Sequence, residues 1–266
     1  AGRGGGGDVV GSESWGCDQG GASRGREMRP GGVSVGDSAG CRSLMFAEAP
    51  VRPARCLLER IYFARPDSLV FGETPHLFRQ GSGRVLAEEQ PADVDIVVAI
   101  PDSGMSAAMG YADALGLPFE RGLIRNHYIG RSFIAPGQEA RAAAVRMKHN
   151  VVREVVRGKR VALVDDSLIR GTTTAALGRE LRNAGALEVH LRIARPPTRH
   201  PCIYGVDFPS PNESKAHKHS LRSIRCLQNM DSLGYPPLEG ITGLFGAEGD
   251  TFCTACWSGE YRVPQS

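Results

Sequence analysis

Apolar runs alternate with amphipathic segments through the middle of the chain. The runs VDIVVAI (94–100), RVALV (160–164) and EVHLRIA (188–194) are rich in β-branched and aliphatic residues, which is typical of parallel strands covered on both faces. Between them, residues 105–116 and 174–186 repeat apolar side chains at helical spacing. Because strands and helices alternate, the pattern predicts an α/β domain with a mainly parallel sheet and right-handed crossovers.

The regions before this core have a different pattern. Residues 1–45 are rich in glycine, and only GGVSVGD and CRSLMFAEA suggest strands there. The alternation in CLLERIYFA (56–64) predicts another strand, and residues 74–90 have helical spacing with Pro75 near the start. We therefore expect a poorly patterned segment over 1–45 and one domain over 46–266 that ends in a cysteine-containing tail.

Composition narrows the classes of function. The chain has 266 residues, of which 41% are hydrophobic and 23% charged, and its formal net charge is +3. This near balance argues against a nucleic-acid-binding surface over the whole molecule. No apolar run approaches the length that spans a bilayer, and no secretory signal is evident. We expect neither nucleic acid nor membrane as a partner.

An acidic pair, Asp165 and Asp166, stands where the run 160–164 ends. Ligands of open parallel sheets bind beyond the carboxyl ends of the strands. The next residues, SLIRGTTT (167–174), lead into a predicted helix, whose N-terminal N–H groups favour phosphate. Carboxylates beside such a cradle suit sugar hydroxyls or Mg²⁺. An ordinary turn with capping residues is the plainer alternative, but the whole ordered string favours a ribose-phosphate site.

The string VALVDDSLIRGTT also resembles the phosphoribosyl-pyrophosphate (PRPP) binding motif of type I phosphoribosyltransferases. IPDSGMSAAMGYA, NHYIGRSFIAPGQEAR, HPCIYGVDFPS and CTACWSGEY follow the order found in the amidophosphoribosyltransferase family. The resemblance implies the type I phosphoribosyltransferase fold, an α/β fold with helices on both faces of a mainly parallel sheet and a flexible loop over the active site. It implies an enzyme of de novo purine synthesis that converts PRPP and glutamine-derived ammonia into 5-phosphoribosylamine and pyrophosphate.

The resemblance assigns substrate-binding roles by matching position. Asp165 and Asp166 would contact the ribose hydroxyls and Mg²⁺, and Ser103 would be a further Mg²⁺ ligand. The residues that would hold the pyrophosphate and the 5-phosphate are Asp102, Ser103, Gly104, Ser167, Arg170, Gly171, Thr172, Thr173 and Thr174.

Residues 125–150 resemble the family's flexible loop, which closes over PRPP and excludes water. Within it, Arg131 and Lys148 would act with the acidic pair as catalytic residues by reaching the pyrophosphate, and Arg141 and Arg146 add positive charge. His127 stands where the family commonly has Arg. Catalysis would rest on positioning and electrostatic stabilisation, without a general base.

Seven cysteines, an odd number without a secretory signal, do not predict a disulfide framework. The CxxC in FCTACWSGEY suits a metal site, and thiolates by themselves suit zinc as well as iron–sulfur; scattered buried thiols are the plainer alternative. The resemblance to the iron–sulfur branch of the family implies a [4Fe–4S] cluster held by Cys56, Cys202, Cys253 and Cys256.

The resemblance also shapes the expectations for the whole chain. Residues 1–45 match only the end of the family's N-terminal glutaminase domain, so we interpret them as its degenerate remnant and expect dependence on free ammonia. A PRPP-binding regulator and an inactive fragment of the enzyme are the alternative functions. The family further implies purine nucleotide feedback inhibitors, a homo-oligomer, and a cytoplasmic location, or the plastid stroma in a photosynthetic eukaryote.

Overall fold

The computed structural model describes residues 2–3, 9–10, 31–37, 40–46, 54–126, 149–168, 171–206 and 215–262. The chain divides into two compact units, which we describe separately. The smaller unit comprises Ala1–Phe78 and Phe245–Cys253, and the larger one comprises Arg79–Leu244 and Thr254–Ser266. The predicted domain boundary between residues 45 and 46 stays a prediction.

The described residues form strands and helices of very different lengths. The strands, in chain order, are β1 Gly2–Arg3, β2 Val9–Val10, β3 Gly32–Asp37, β4 Gly40–Met45, β5 Arg55–Cys56, β6 Ile96–Ala99, β7 Phe119–Glu120, β8 Leu123–Arg125, β9 His149–Val151, β10 Arg160–Asp165, β11 Glu188–Ile193, β12 Ser232–Gly234 and β13 Phe252–Cys253. The α-helices are α1 Pro75–Glu89, α2 Met105–Leu115, α3 Arg153–Val156, α4 Thr172–Asn183, α5 Lys215–Lys218, α6 Leu221–Gln228, α7 Leu238–Gly243 and α8 Ala255–Ser258. A π-helical segment covers Glu59–Phe63, and a 3₁₀ helix covers Gly246–Thr251.

The smaller unit consists of short strand pairs and a cluster of aromatic rings. β3 and β4 form an antiparallel hairpin, in the two stretches for which the sequence suggested strands. β5 and β13 pair in parallel, so that Cys56 lies directly across from Cys253. The buried guanidinium of Arg60 stands 4.9 Å from the ring centre of Phe245 and 5.2 Å from that of Phe252. These cation–π contacts hold a charge inside the unit.

The strand predicted over 56–64 is wrong. Only Arg55–Cys56 is extended, and the chain is helical from Leu57 onward. Leu57, Leu58 and Ile61 are the buried apolar residues of this stretch, and their spacing places them on one side of a helix. A short apolar segment satisfies both periods, so the sequence pattern alone could not distinguish them.

The larger unit is built on a five-stranded parallel sheet. Its strand order is β12-β11-β10-β6-β7, and every neighbouring pair in it is parallel. The predicted α/β class with a mainly parallel sheet is therefore confirmed. β10 lies at the centre, between β6 and β11, because its residues are apolar on both faces and are buried there.

A cluster of apolar side chains covers each face of this sheet. Successive strand residues point to opposite faces, so neighbouring residues of one strand belong to different clusters. On one face, Val98 and Leu163 pack in a cluster with Leu181 of α4. On the other face, Val97 packs in a cluster with Tyr111 of α2. Burying each large apolar side chain contributes about 1.5–3 kcal/mol to the free energy of folding. The two clusters therefore stabilise the sheet, and with it the positions at which its strands end.

None of the helices in the described ranges is both long enough and apolar enough to cross a bilayer.

Candidate active site

Two turns lie side by side at the carboxyl ends of β6 and β10. The register pairs Val164 with Ala99, and the Ile100 N–H donates a hydrogen bond of 2.8 Å to the Val164 carbonyl oxygen. The chain then enters the turn 101–104, whose Pro101–Asp102 peptide bond is cis, while β10 ends in the acidic pair. The structure thus brings together the two segments that the sequence singled out.

The acidic pair is buried and connected to the turn 101–104. The Ser103 hydroxyl donates a hydrogen bond of 3.0 Å to Asp165 Oδ1, which also accepts one of 2.9 Å from the Asp166 backbone N–H. Asp165 is 8% exposed and Asp166 is 4% exposed. Within the described part of the chain, Asp166 Oδ2 has no hydrogen-bond partner. A buried carboxylate oxygen in this state is available for a ligand.

The charges around the pair are only partly compensated. Burial raises the pKa of Asp165 well above its usual range, and the neighbouring carboxylate of Asp166 raises that pKa further. The guanidinium of Arg195, two residues after β11, is also buried; burial lowers its pKa, and the charge of Asp166 opposes this. Buried carboxylates that repel each other favour a bound cation.

These oxygen donors fit Mg²⁺. Two carboxylates and one hydroxyl form an oxygen-only set, which is what Mg²⁺ binds, usually with several waters and a substrate phosphate retained. Among the residues that the structure describes, no three His, Cys, Asp or Glu side chains are grouped so that they could hold a metal ion by themselves. Because Mg²⁺ commonly completes its coordination with substrate phosphates, this donor set suits a cation that binds together with its substrate.

Gly104 allows the turn to lie against the end of β10. A Cβ atom at this position would stand 2.4 Å from the Val164 carbonyl oxygen and 3.1 Å from the Asp165 Cα. Both neighbours are backbone atoms of a central strand, so they have no freedom to move away. The absence of a side chain at Gly104 therefore sets the distance between the turn and the acidic pair.

The predicted phosphate cradle, residues 167–174, ends in the first turn of α4. Gly171 precedes the helix in a left-handed conformation with φ of 64°, which glycine adopts at little cost. Ser167 and Thr173 are half-buried and Thr174 is buried. Arg170 and the side chain of Thr172 lie outside the described residues. The free N–H groups of this helix start suit a phosphate group.

The two ends of the predicted flexible loop, residues 125–150, are tied to the turn 101–104. Arg125 Nη1 donates a hydrogen bond of 2.6 Å to the Asp102 carboxylate, and the His149 Nε2 lies 3.2 Å from the Pro101 carbonyl oxygen. β8 and β9, which contain them, pair with each other. Residues 127–148, with the predicted catalytic residues Arg131 and Lys148, lie outside the described residues.

Sequence reasoning overlooked three polar residues near the site: Arg125, Arg195 and Gln228. Arg195 and Gln228 are buried. A charged residue directly after the apolar run 188–194 was a signal for Arg195. Arg125 directly follows the predicted strand LPFERGLI, at the first position of the loop. Nothing in the local pattern distinguished Gln228.

The four cysteines predicted to hold a cluster are divided between the units. Cys56 and Cys253 face each other across β5 and β13 in the smaller unit. The larger unit contains Cys202 and Cys256. Cys202 Sγ accepts a hydrogen bond of 3.4 Å from the Tyr204 N–H, and Cys256 is the third residue after Cys253. Because no group of three or more metal-ligand side chains is found among the described residues, the cluster stays a prediction.

The chain is similar to known phosphoribosyltransferases. Residues 84–195 match the phosphoribosyl transferase domain family. The amidophosphoribosyltransferase of Synechococcus elongatus is 45% identical over 255 residues, covering 96% of this chain and 52% of that protein. The chloroplastic amidophosphoribosyltransferase of Glycine max is 46% identical, covering 96% of this chain and 45% of that one. The solved structure of glutamine PRPP amidotransferase from B. subtilis, complexed with ADP and GMP, is 43% identical with a TM-score of 0.81, covering 91% of this chain and 54% of that chain.

The parallel sheet and the two turns at its carboxyl edge therefore define a type I phosphoribosyltransferase fold. More particularly, the chain is a homologue of the amidophosphoribosyltransferases. It spans about half the length of the curated relatives that it matches.

Proposed function

We propose that this chain carries out the phosphoribosyl transfer of an amidophosphoribosyltransferase, with PRPP and ammonia giving 5-phosphoribosylamine and pyrophosphate. The observation that carries the proposal is the buried acidic pair, which is hydrogen-bonded to Ser103 of the adjacent turn. A phosphate cradle at a helix N-terminus follows it directly in the chain. This arrangement suits a substrate with a ribose between two phosphate groups, and the family relationship supports PRPP.

The geometry suggests how the residues divide the work. The N-terminus of α4, with Thr173 and Thr174, binds the 5-phosphate. Asp165 and Asp166 orient the ribose hydroxyls, and together with Ser103 they would hold Mg²⁺, which supplies charge stabilisation for pyrophosphate. Asp102 and Gly104 belong to the turn that faces the pyrophosphate, and Arg131 and Lys148 are proposed to bind it from the loop.

The chemical step needs little proton transfer from the protein. The bond from C1 of the ribose to the pyrophosphate oxygen breaks, and pyrophosphate takes the electron pair. The ammonia nitrogen forms the new bond to C1 and then loses a proton to solvent. Positioning the reactants and stabilising the leaving group are the contributions asked of the enzyme.

The direct test is pyrophosphate release from PRPP by the purified chain with ammonium and Mg²⁺. We expect turnover that rises with pH as more free NH₃ becomes available. Binding of PRPP without turnover would instead identify a PRPP-binding regulator, and absence of binding would identify an inactive fragment. The relatives, all named as enzymes, favour the first outcome.

Regulation, assembly and location are proposed from the relatives. The B. subtilis enzyme was solved with ADP and GMP bound, so we propose purine nucleotides as feedback inhibitors of this chain. Glutamine is the proposed source of ammonia in the complete system, and a homo-oligomer is the proposed assembly. The Glycine max relative is named chloroplastic, which supports the plastid stroma as the alternative to a cytoplasmic location.

We also propose a [4Fe–4S] cluster held by Cys56, Cys202, Cys253 and Cys256. Protein purified without oxygen is expected to be brown and to contain about four iron atoms per chain. Replacing Cys253 with Ser should abolish the brown colour and the bound iron. Cys226→Ser is the matched control, because Cys226 is exposed and is not a predicted ligand; it should retain the iron. A colourless protein with one zinc would contradict the proposal.

A further inference from the structure

Gln228, the last residue of α6, lies against Gly171, the N-cap of α4. Its side chain is fully buried, with 0% exposure. The amide Nε2 stands 2.6 Å from the position that a Cβ on Gly171 would occupy, and Cδ stands 3.0 Å from the same position. The amide of Gln228 therefore packs directly on the backbone of Gly171, and a side chain at position 171 would require this amide to move.

The amide of Gln228 lacks hydrogen-bond partners. Within the described part of the chain, neither Nε2 nor Oε1 has one, although the group offers two donors and one acceptor. A buried amide without partners destabilises the fold, and an apolar side chain of the same length would fill the same space without that penalty. A partner that reaches the amide in a ligand-bound state would remove this penalty.

The surroundings indicate what that partner is. Gly171 is the N-cap of α4, a helix of 12 residues, and glycine has no side chain with which to cap this end. The first N–H groups of a helix lack partners within it, and they attract anions. A buried, unpartnered amide donor and the uncapped start of a helix therefore meet at one glycine. The oxygens of a phosphate group are hydrogen-bond acceptors, which suit both sets of N–H donors.

We propose that Gln228 is a positioning residue for a phosphate site at Gly171 and the start of α4. Its amide holds Gly171 in place and gains hydrogen bonds when a phosphate monoester occupies the start of α4. The inference rests on the proposed function, because it assigns the 5-phosphate of PRPP to this site. It adds the expectation that Gln228 affects binding of the 5-phosphate and not of the pyrophosphate. The turn 101–104, which is proposed to face the pyrophosphate, is hydrogen-bonded to β10.

The test is a comparison of ligands that contain one end of PRPP or both. Binding of ribose 5-phosphate, PRPP and Mg·pyrophosphate to the full chain is measured by calorimetry for wild type and for Gln228→Met, which keeps the length and removes the amide. We expect the Kd of ribose 5-phosphate and of PRPP to rise about tenfold, the effect of one hydrogen bond to a charged group. The Kd of Mg·pyrophosphate should be unchanged. The Gln228→Glu variant should bind ribose 5-phosphate and PRPP more weakly still, because its carboxylate repels phosphate.

Controls separate this role from packing. Met230→Leu changes a buried side chain that contacts α4 at Gly178, further along the helix; it should alter the melting temperature without changing the ratio of the affinities. An equal loss for all three ligands, in Gln228→Met and in Gln228→Leu alike, would assign Gln228 to packing and overturn the inference. Unchanged affinities in both variants would also overturn it, while the proposed function would stand. If wild type binds neither ribose 5-phosphate nor PRPP, the proposed function fails as well.

Discussion

Replacing Asp165 and Asp166 together with Asn is expected to lower the affinity for Mg·PRPP by about 100-fold or more, the combined effect of two hydrogen bonds to charged groups. The fold should persist, because Asn has the same shape and both residues already sit in a packed turn. The two carboxylates are the buried anionic groups at the end of β10, so their loss removes the attraction for the metal and the acceptors for the ribose hydroxyls. Calorimetric titration with Mg·PRPP measures the change.

The same variant is expected to be more stable than wild type in the absence of ligand. The pKa of Asp165 is raised in the folded state, first by burial and then by Asp166, so ionisation of this carboxyl opposes folding. Native stability therefore falls as pH rises above the usual carboxyl pKa towards the raised one. Asn carries no charge at any pH, so the gain over wild type should grow between acidic and neutral pH.

Thermal melts at several pH values test the stability effect. Asp113→Asn is the matched control, since Asp113 is exposed on α2 and pairs only with Arg84 at the surface among its described contacts. We expect the control to bind Mg·PRPP as wild type does and to show little pH-dependent gain. Unchanged affinity in the double Asn variant would mean that the acidic pair does not bind the substrate.

Replacing Gly104 with Ala is expected to reduce turnover of PRPP by about 100-fold, the cost of misplacing reacting groups by about 1 Å. The added Cβ would stand 2.4 Å from the Val164 carbonyl oxygen, and this oxygen belongs to the central strand β10. The turn 101–104 must then move away and take Ser103 from its hydrogen bond with Asp165. Both the metal site and the pyrophosphate side of the site would be displaced together.

Steady-state kinetics with ammonia, combined with a thermal melt, check this result. Gly243→Ala is the matched control, because nothing lies within 4 Å of the position of its Cβ; it should keep full activity and gain slightly in stability from higher helix propensity. If Gly104→Ala retained turnover within about threefold of wild type, the close packing of the turn on β10 would not matter for the reaction.

The class of fold followed from the local pattern of apolar residues. The runs that became β6, β10 and β11 are buried on both faces, and continuous β-branched stretches encode that environment directly. Gly116 ends α2 in the left-handed conformation, as its position after an amphipathic stretch predicts. The acidic pair fell at the functional edge because the end of an apolar strand marks the carboxyl edge of a parallel sheet.

Only the tertiary structure decided which distant residues meet. The hydrogen bond from Ser103 to Asp165 depends on the pairing of β6 with β10. The order and register of strands are set by contacts between residues that are far apart in sequence. The contact of Gln228 with Gly171 depends in the same way on how α6 lies beside α4.

The helical conformation of the residues after Cys56 was likewise decided by the tertiary structure and not by the local sequence pattern. The apolar residues of this short segment did not distinguish a helix from a strand by their spacing. In the structure the segment is helical, and Leu57, Leu58 and Ile61 are buried. Periodicity determines which residues of an element are buried, because burial follows the local geometry of helix or strand. It does not determine which residues lie across from them, because those contacts join parts of the chain that lie far apart in sequence.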